Sequence, residues 1–260
     1  MKINLDKYYT DTKLAKHCIL TTFKKIKNIT EIIEPSAGNG AFSLQIPRCI
    51  AYDTEPDHHS IIQQDFLILN LPYKKGRLFI GNPPFGTRNI LSVKFYKHAI
   101  TMGDFIAFIL PASQFNNSQQ MYDFNLIHSE MLPLIEYSNR KVLCCFNIYK
   151  RPVGGLNKKP IDYSLSDVTI LEWRRGGNYP VPDYFDYGIC SWGSVGKEII
   201  YQGQYALENY IVVNNIKYKT EVIETLKKAD WNSMYPCIAT PRLGQWKIYK
   251  YLKEQIPGLK

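Results

Sequence analysis

The segment Asn82-Pro83-Pro84-Phe85 has the residue types and spacing to do chemistry. It follows the apolar run Leu78-Phe79-Ile80-Gly81, which places it at the carboxyl end of a predicted strand, where open α/β sheets bind their ligands. A residue that precedes proline is held extended, so Asn82 is restricted. Two consecutive prolines carry no N–H and fix the chain. What remains is a rigid set of oxygen acceptors without local donors, beside one flat aromatic ring. Such a set suits an N–H-bearing group held for reaction. The plainer alternative is that the prolines only end a strand and Phe85 is core.

A second motif upstream weighs against that alternative. The apolar run Glu31-Ile32-Ile33 leads into Glu34-Pro35-Ser36-Ala37-Gly38-Asn39-Gly40-Ala41-Phe42. Glycines at a strand-to-helix turn allow a ligand close to the backbone and adopt dihedrals that other residues avoid. The pattern is not the GxGxxG of nicotinamide binding. A further run, Cys49-Ile50-Ala51-Tyr52, ends at Asp53-Thr54-Glu55-Pro56, which puts a carboxylate where it can accept both hydroxyls of a ribose. Asp53, at the strand end, suits this better than Glu55. Asp65-Phe66 then follows a third short run, Ile61-Ile62.

Taken together, residues 7–150 resemble the adenine-N6 nucleic-acid methyltransferases. The resemblance implies a Rossmann-like class I methyltransferase sheet and S-adenosyl-L-methionine as cofactor. Within the cofactor motif that begins at Glu34 and Pro35, the backbone around Ala37, Gly38 and Gly40 would meet the amino acid portion of the cofactor. Asp53 would hold its ribose. Asp65 would accept from its adenine amine, and Phe66 would pack on that ring. Lys7-Tyr8-Tyr9-Thr10 is similar to a cofactor-contacting segment, with Tyr9 and Thr10 at the matching positions. Asn82 borders both cofactor and target. Its side-chain oxygen and the Pro83 carbonyl would accept the two N–H groups of the target amine, with Pro84 stiffening the segment and Phe85 stacking on the base. Two acceptors matter because the adenine N6 lone pair is delocalised into the ring, and they draw the amine toward tetrahedral geometry.

Asn at the first position goes mostly with adenine in that family, whereas enzymes acting on the cytosine amine more often carry Ser. DNA is the expected substrate. Asn82-Pro83-Pro84-Phe85-Gly86-Thr87 also looks like the segment of some ribosomal RNA adenine methyltransferases, so RNA stays open. Protein glutamine methyltransferases use the same two-acceptor logic, and a nucleic-acid-binding subunit without activity is the fourth reading.

The elements that must position these residues are legible as alternating patterns. Residues 11–27 read as an amphipathic helix, with Leu14, Cys18, Ile19, Thr22 and Phe23 at helical spacing. Strand-length runs recur at 31–33, 49–52, 61–62, 77–80, 105–110 and 142–146, with a helix over 91–101 between two of them. A short helix should follow Gly40 and stop at Pro47, and the link after Pro56 is short, so trimmed helical layers are expected. Strands alternating with helices predict an α/β fold with a parallel sheet covered on both faces. The expected division is a catalytic domain over 1–150 and a smaller β-rich or mixed substrate-recognition region over 151–260. That region should include a β-like Tyr210-Ile211-Val212-Val213 and a helix from Glu221 to Ala229.

Composition sets the outer bounds. Lys and Arg number 32 against 23 Asp and Glu, a net charge of +9 that favours polyanionic partners. Residues 1–149 hold 16 basic and 12 acidic groups and residues 150–260 hold 16 and 11, so the excess is spread rather than held in a tail. No apolar run approaches the roughly 18 residues of a membrane span, and no secretory leader is recognisable. Six cysteines without a CxxC pair fit a reducing, cytoplasmic setting and predict no metal site. Asp57-His58-His59 reads as a surface turn and Cys144-Cys145 as core strand. Arg174-Arg175-Gly176-Gly177 could track phosphate or be a solvated turn. Tyr179, Tyr184, Tyr187 and Trp192 could stack on unpaired bases, with core packing as the default. The oligomeric state is undetermined by sequence.

Overall fold

Every residue of Arg77–Gly81 is buried, as a central strand covered on both faces requires. In the computed structural model, which describes residues 9–117, 119–137, 140–159, 164–177, 183–235 and 242–260, this run is β4. It sits in a seven-stranded sheet with β1 (Glu31–Glu34), β2 (Ile50–Asp53), β3 (Ile62–Gln63), β5 (Phe105–Pro111), β6 (Asn125–Met131) and β9 (Cys144–Lys150). The order across the sheet is β3-β2-β1-β4-β5-β9-β6. The first five are mutually parallel, whereas β9 runs antiparallel to both β5 and β6. In chain order β6 and β9 are separated by a small antiparallel pair that forms its own sheet, β7 (Ile135–Tyr137) and β8 (Arg140–Val142).

Alternate strand residues feed two cores. On one face Leu78, Ile80, Ala107, Ile109, Phe146 and Ile148 pack with Ala15, Cys18 and Ile19 of α1 (Thr12–Lys25). On the other, Ile33, Phe79, Ile106, Phe108, Cys145 and Tyr149 pack with Phe95, Tyr96, Ala99 and Ile100 of α2 (Ile90–Met102). Each fully buried Phe or Ile contributes about 1.5–3 kcal/mol relative to exposure. Helix α1 starts where Asp11 accepts from the Lys13 and Leu14 amides at 2.9 and 3.1 Å. The expected short helix after Gly40 is instead a single 3-10 turn, Ser43–Gln45. Pro47, two residues on, cannot donate to extend it.

The chain divides into two compact units, residues 1–159 and 160–260. Residues just past 150 pack with the first: the Arg151 guanidinium donates to Asp104 Oδ1 at 3.1 Å and to the Gly103 carbonyl. The second unit holds the antiparallel sheet β10 (Val168–Arg174), β12 (Leu207–Val213) and β11 (Tyr187–Cys190), in that order. Among the described residues, α3 (Lys219–Lys228), α4 (Trp231–Met234) and α5 (Gln245–Gln255) accompany it. Its core joins Ile170, Ile189, Ile211, Val222, Trp231, Ile248 and Leu252. Here Tyr187 is buried while Tyr184 and Trp192 are exposed, and Tyr179 lies outside the described residues.

Candidate active site

A cavity of about 280 Å³ opens beyond the carboxyl ends of β1, β2 and β4. It is lined by Tyr9, Thr10, Glu34, Pro35, Ala37, Gly38, Asp53, Asp65, Phe66, Asn82, Pro83, Pro84 and Phe85, so nearly every residue singled out by sequence converges on one space. Gly40 alone among them stands behind the wall. At φ +83° its missing Cβ would lie 2.8 Å from Leu44 Cγ, and its amide donates to the Ala37 carbonyl at 2.7 Å, so it shapes the turn.

The turn is bound to its neighbours by specific bonds. Gly38, at φ +54°, donates its amide to Asp53 Oδ2 at 2.7 Å. Asp53 Oδ1 accepts from the Glu55 amide at 2.8 Å. A carboxylate offers about four lone-pair sites, so these two bonds leave Asp53 further acceptor capacity. The Gly38 carbonyl accepts from the Asp57 amide at 3.0 Å, and Tyr9, whose ring lies over Gly38, donates its hydroxyl to Asp57 Oδ2.

Glu34 is 1% exposed, and its Oε2 accepts from the Ser43 amide at 2.7 Å, so it props the Gly-rich turn from beneath. Burial pushes its carboxyl up to about 7, against the opposing pull of the Ser43 donor. Asp65 caps the 3-10 turn Phe66–Ile68 by accepting from the Leu67 amide at 2.8 Å. Phe66 is a core ring, 1% exposed, set against Phe95 at 5.3 Å, Phe79 at 5.5 Å and His98 at 5.0 Å between centroids. Its edge reaches the cavity; its bulk fixes α2 to the sheet.

Asn82 is gripped at two points. Its Nδ2 donates to Thr10 Oγ1 at 3.2 Å, and its backbone carbonyl accepts from Ser36 Oγ at 3.3 Å. Pro83 is buried and Pro84 half-buried, while Phe85 is half-buried against the α1-side core. The Phe85 carbonyl accepts from the Leu91 amide at 3.1 Å across Gly86, which has φ +65° and ψ 179°. Asn89, also at φ +65°, donates to Ser113 Oγ at 2.8 Å and so joins this loop to the one after β5. The sequence reading missed Ser36, Gln64, Leu91 and Phe95 as lining residues. Ser36 lies inside a motif already singled out, whereas Gln64 carries no local signal. Among the described residues, no group of three His, Cys, Asp or Glu side chains could hold a metal ion. Likewise no described helix is long and apolar enough to cross a membrane.

No family model matches the chain, and no curated protein matches it. Solved structures do. A Thermoplasma acidophilum protein is 16% identical with a TM-score of 0.45, over 58% of this chain and 93% of its own. A proposed RNA methyltransferase from Pyrococcus horikoshii is 15% identical with a TM-score of 0.47, over 59% of this chain and 90% of its own. The modification subunit of a proposed type I restriction enzyme from Vibrio vulnificus is 12% identical with a TM-score of 0.42, over 58% and 46%. The sheet itself defines the architecture. Five parallel strands in the order β3-β2-β1-β4-β5, continued by the antiparallel β9 and by β6, make residues 1–159 a Rossmann-like α/β fold.

Proposed function

We propose that the protein transfers a methyl group from S-adenosyl-L-methionine to the N6 amine of adenine in DNA. One observation carries this reading. The rigid acceptor segment Asn82-Pro83-Pro84-Phe85, the Gly-rich turn and the carboxylates of Asp53 and Asp65 line a single cavity. The residues present fit the cofactor. Gly38 lines the cavity beneath the Tyr9 ring, Asp53 and Asp65 supply acceptors, and about 280 Å³ lies just below the usual range of ligand sites, roughly 300–1,000 Å³. Asp53 would take the ribose hydroxyls, Asp65 the adenine amine, and Tyr9, Thr10, Pro35, Ala37 and Gly38 the remainder. When bound, the cofactor supplies an electrophilic methyl on a positively charged sulfur.

The chain's own part is to make a poor nucleophile competent. Asn82 Oδ1 and the Pro83 carbonyl accept the two N–H groups of the target amine, which localises its lone pair. A neutral amide suffices, because a cationic methyl donor needs no strong base. In a duplex the base must leave the stack at a cost on the order of a few kcal/mol. Stacking on Phe85, about 1–3 kcal/mol for base–aromatic pairs, offsets part of it. The net charge of +9 supports a polyanionic substrate, and residues 160–260 are the candidate recognition region.

The test offers labelled S-adenosylmethionine with duplex DNA, single-stranded DNA, structured RNA and protein, then digests the product to nucleosides for mass spectrometry. N6-methyldeoxyadenosine is expected. Labelled RNA, labelled glutamine or a methylcytosine product would each overturn the assignment. Asn82→Ala should lower transfer roughly 100- to 1,000-fold with cofactor affinity retained.

A further inference from the structure

We infer that Thr10 is a positioning residue for the Asn82 amide, an inference that rests on the function proposed above. Thr10 immediately precedes the residue that caps α1, and it is 7% exposed. Its Oγ1 accepts from Asn82 Nδ2 at 3.2 Å, across 72 residues of sequence. Ser36, in the Gly-rich turn, donates to the Asn82 carbonyl at 3.3 Å. Both segments therefore converge on the residue that must meet the target base.

The reason lies in the symmetry of the side chain. The two ends of a carboxamide have nearly the same shape and opposite hydrogen-bond character. The target amine can use only the oxygen end, since an NH2 turned toward it presents donor to donor. A proline after Asn82 fixes its backbone, yet leaves rotation of the amide free. A hydroxyl can bond either end of an amide; here Thr10 restrains the rotation of the Asn82 amide with Nδ2 at its Oγ1. Ser36 holds the backbone carbonyl of the same residue, so the Cα from which the amide projects is also fixed.

Thr10→Val keeps the branched shape and removes the oxygen; Thr10→Ser keeps the oxygen. Thr10→Val should lower kcat by on the order of 10-fold, the scale of one hydrogen bond's net worth. KM for nucleic acid should stay within about 3-fold, and any rise in the calorimetric Kd for S-adenosylmethionine, through the contact of Thr10 with the cofactor, should be smaller than the loss in kcat. Thr10→Ser should restore kcat. In 15N-asparagine-labelled protein, the Asn82 side-chain amide, assigned by its loss in Asn82→Ala, should move in Thr10→Val and return in Thr10→Ser. Should Thr10→Val not fold, Thr10→Ala carries the same expectations. An unmoved Asn82 signal overturns the inference, as does a loss confined to Kd, which would make Thr10 a plain cofactor contact. The spectrum reads the Thr10–Asn82 bond even if no nucleic acid is methylated, so the two proposals fail separately.

Discussion

Replacing Glu34 by Gln should stabilise the protein strongly at alkaline pH and by only about 1 kcal/mol at pH 5. Glu34 is 1% exposed beneath the Gly-rich turn, and burial raises its carboxyl from the ordinary 4.5 to about 7. The Ser43 amide opposes the rise, while the charge of Asp53 adds a little to it. In the unfolded chain the carboxyl ionises near 4.5, so between that pH and about 7 the folded state binds the extra proton. Stability therefore falls as pH rises through this window, and the full penalty persists above it. At about 1.4 kcal/mol per pH unit the penalty is roughly 3 kcal/mol. Gln keeps an oxygen for the Ser43 amide and removes the charge. Urea unfolding of both proteins at pH 5 and pH 8 should give a variant gain of only about 1 kcal/mol at the first and roughly 3 kcal/mol at the second. With about 2–4 °C per kcal/mol for a fold of this size, the midpoint at pH 8 should rise by about 6–12 °C. An equal effect at both pH values, or a loss at pH 8, would refute the reasoning and show that the Ser43 donor outweighs burial.

Asp53→Ala removes the acceptor for both the Gly38 and Glu55 amides, and cofactor affinity measured by calorimetry should fall roughly 10- to 100-fold, the range for bonds to a charged group. Gly86→Ala forces a side chain to φ +65° and ψ 179°, with its Cβ 2.8 Å from Leu91 Cγ. A cost of about 1–3 kcal/mol should displace the loop, so turnover should drop while cofactor Kd holds, and an unchanged kcat would argue against a loop rigidly tied to α2. Affinity for nucleic acid, followed by fluorescence anisotropy, should fall steeply with added salt as phosphate contacts release counterions; a flat response would favour a protein substrate.

The sheet was legible where a strand is central and uninterrupted. Phe105–Leu110 is apolar at every position because both faces are covered, and such a run needs no knowledge of its partners. β6 was not read, because an edge strand of the sequence Asn125–Met131 carries polar residues and a register shift between Leu126 and His128 breaks its alternation. β10 and α5 did carry signals that went unread: alternation through Val168 and Ile170, and Ile248 with Leu252 at helical spacing. At the site, the motif residues were found because their types are unusual together. What they bond to was hidden. That Glu34 accepts from the Ser43 amide, and that Phe66 is walled by Phe79, Phe95 and His98, follows from packing that no single motif records.

The trimmed helical layers make this bracing necessary. Among the described residues of the first unit, only α1 and α2 exceed a 3-10 turn in length, so the loops at the carboxyl ends of β1, β2 and β4 lack the usual cover of long helices. They hold one another instead. Gly38 to Asp53 ties the first loop to the second, Asp57 to the Gly38 carbonyl returns the tie, and Ser36 to Asn82 ties the first loop to the third. The segment ahead of α1 then closes over both, with Tyr9 on Asp57 and Thr10 on Asn82. Three of these five bonds involve a backbone group, so those restrain the path of the chain itself. The site's geometry thus depends on a few short polar contacts, and a single hydroxyl deletion among them should alter the reaction without altering the fold.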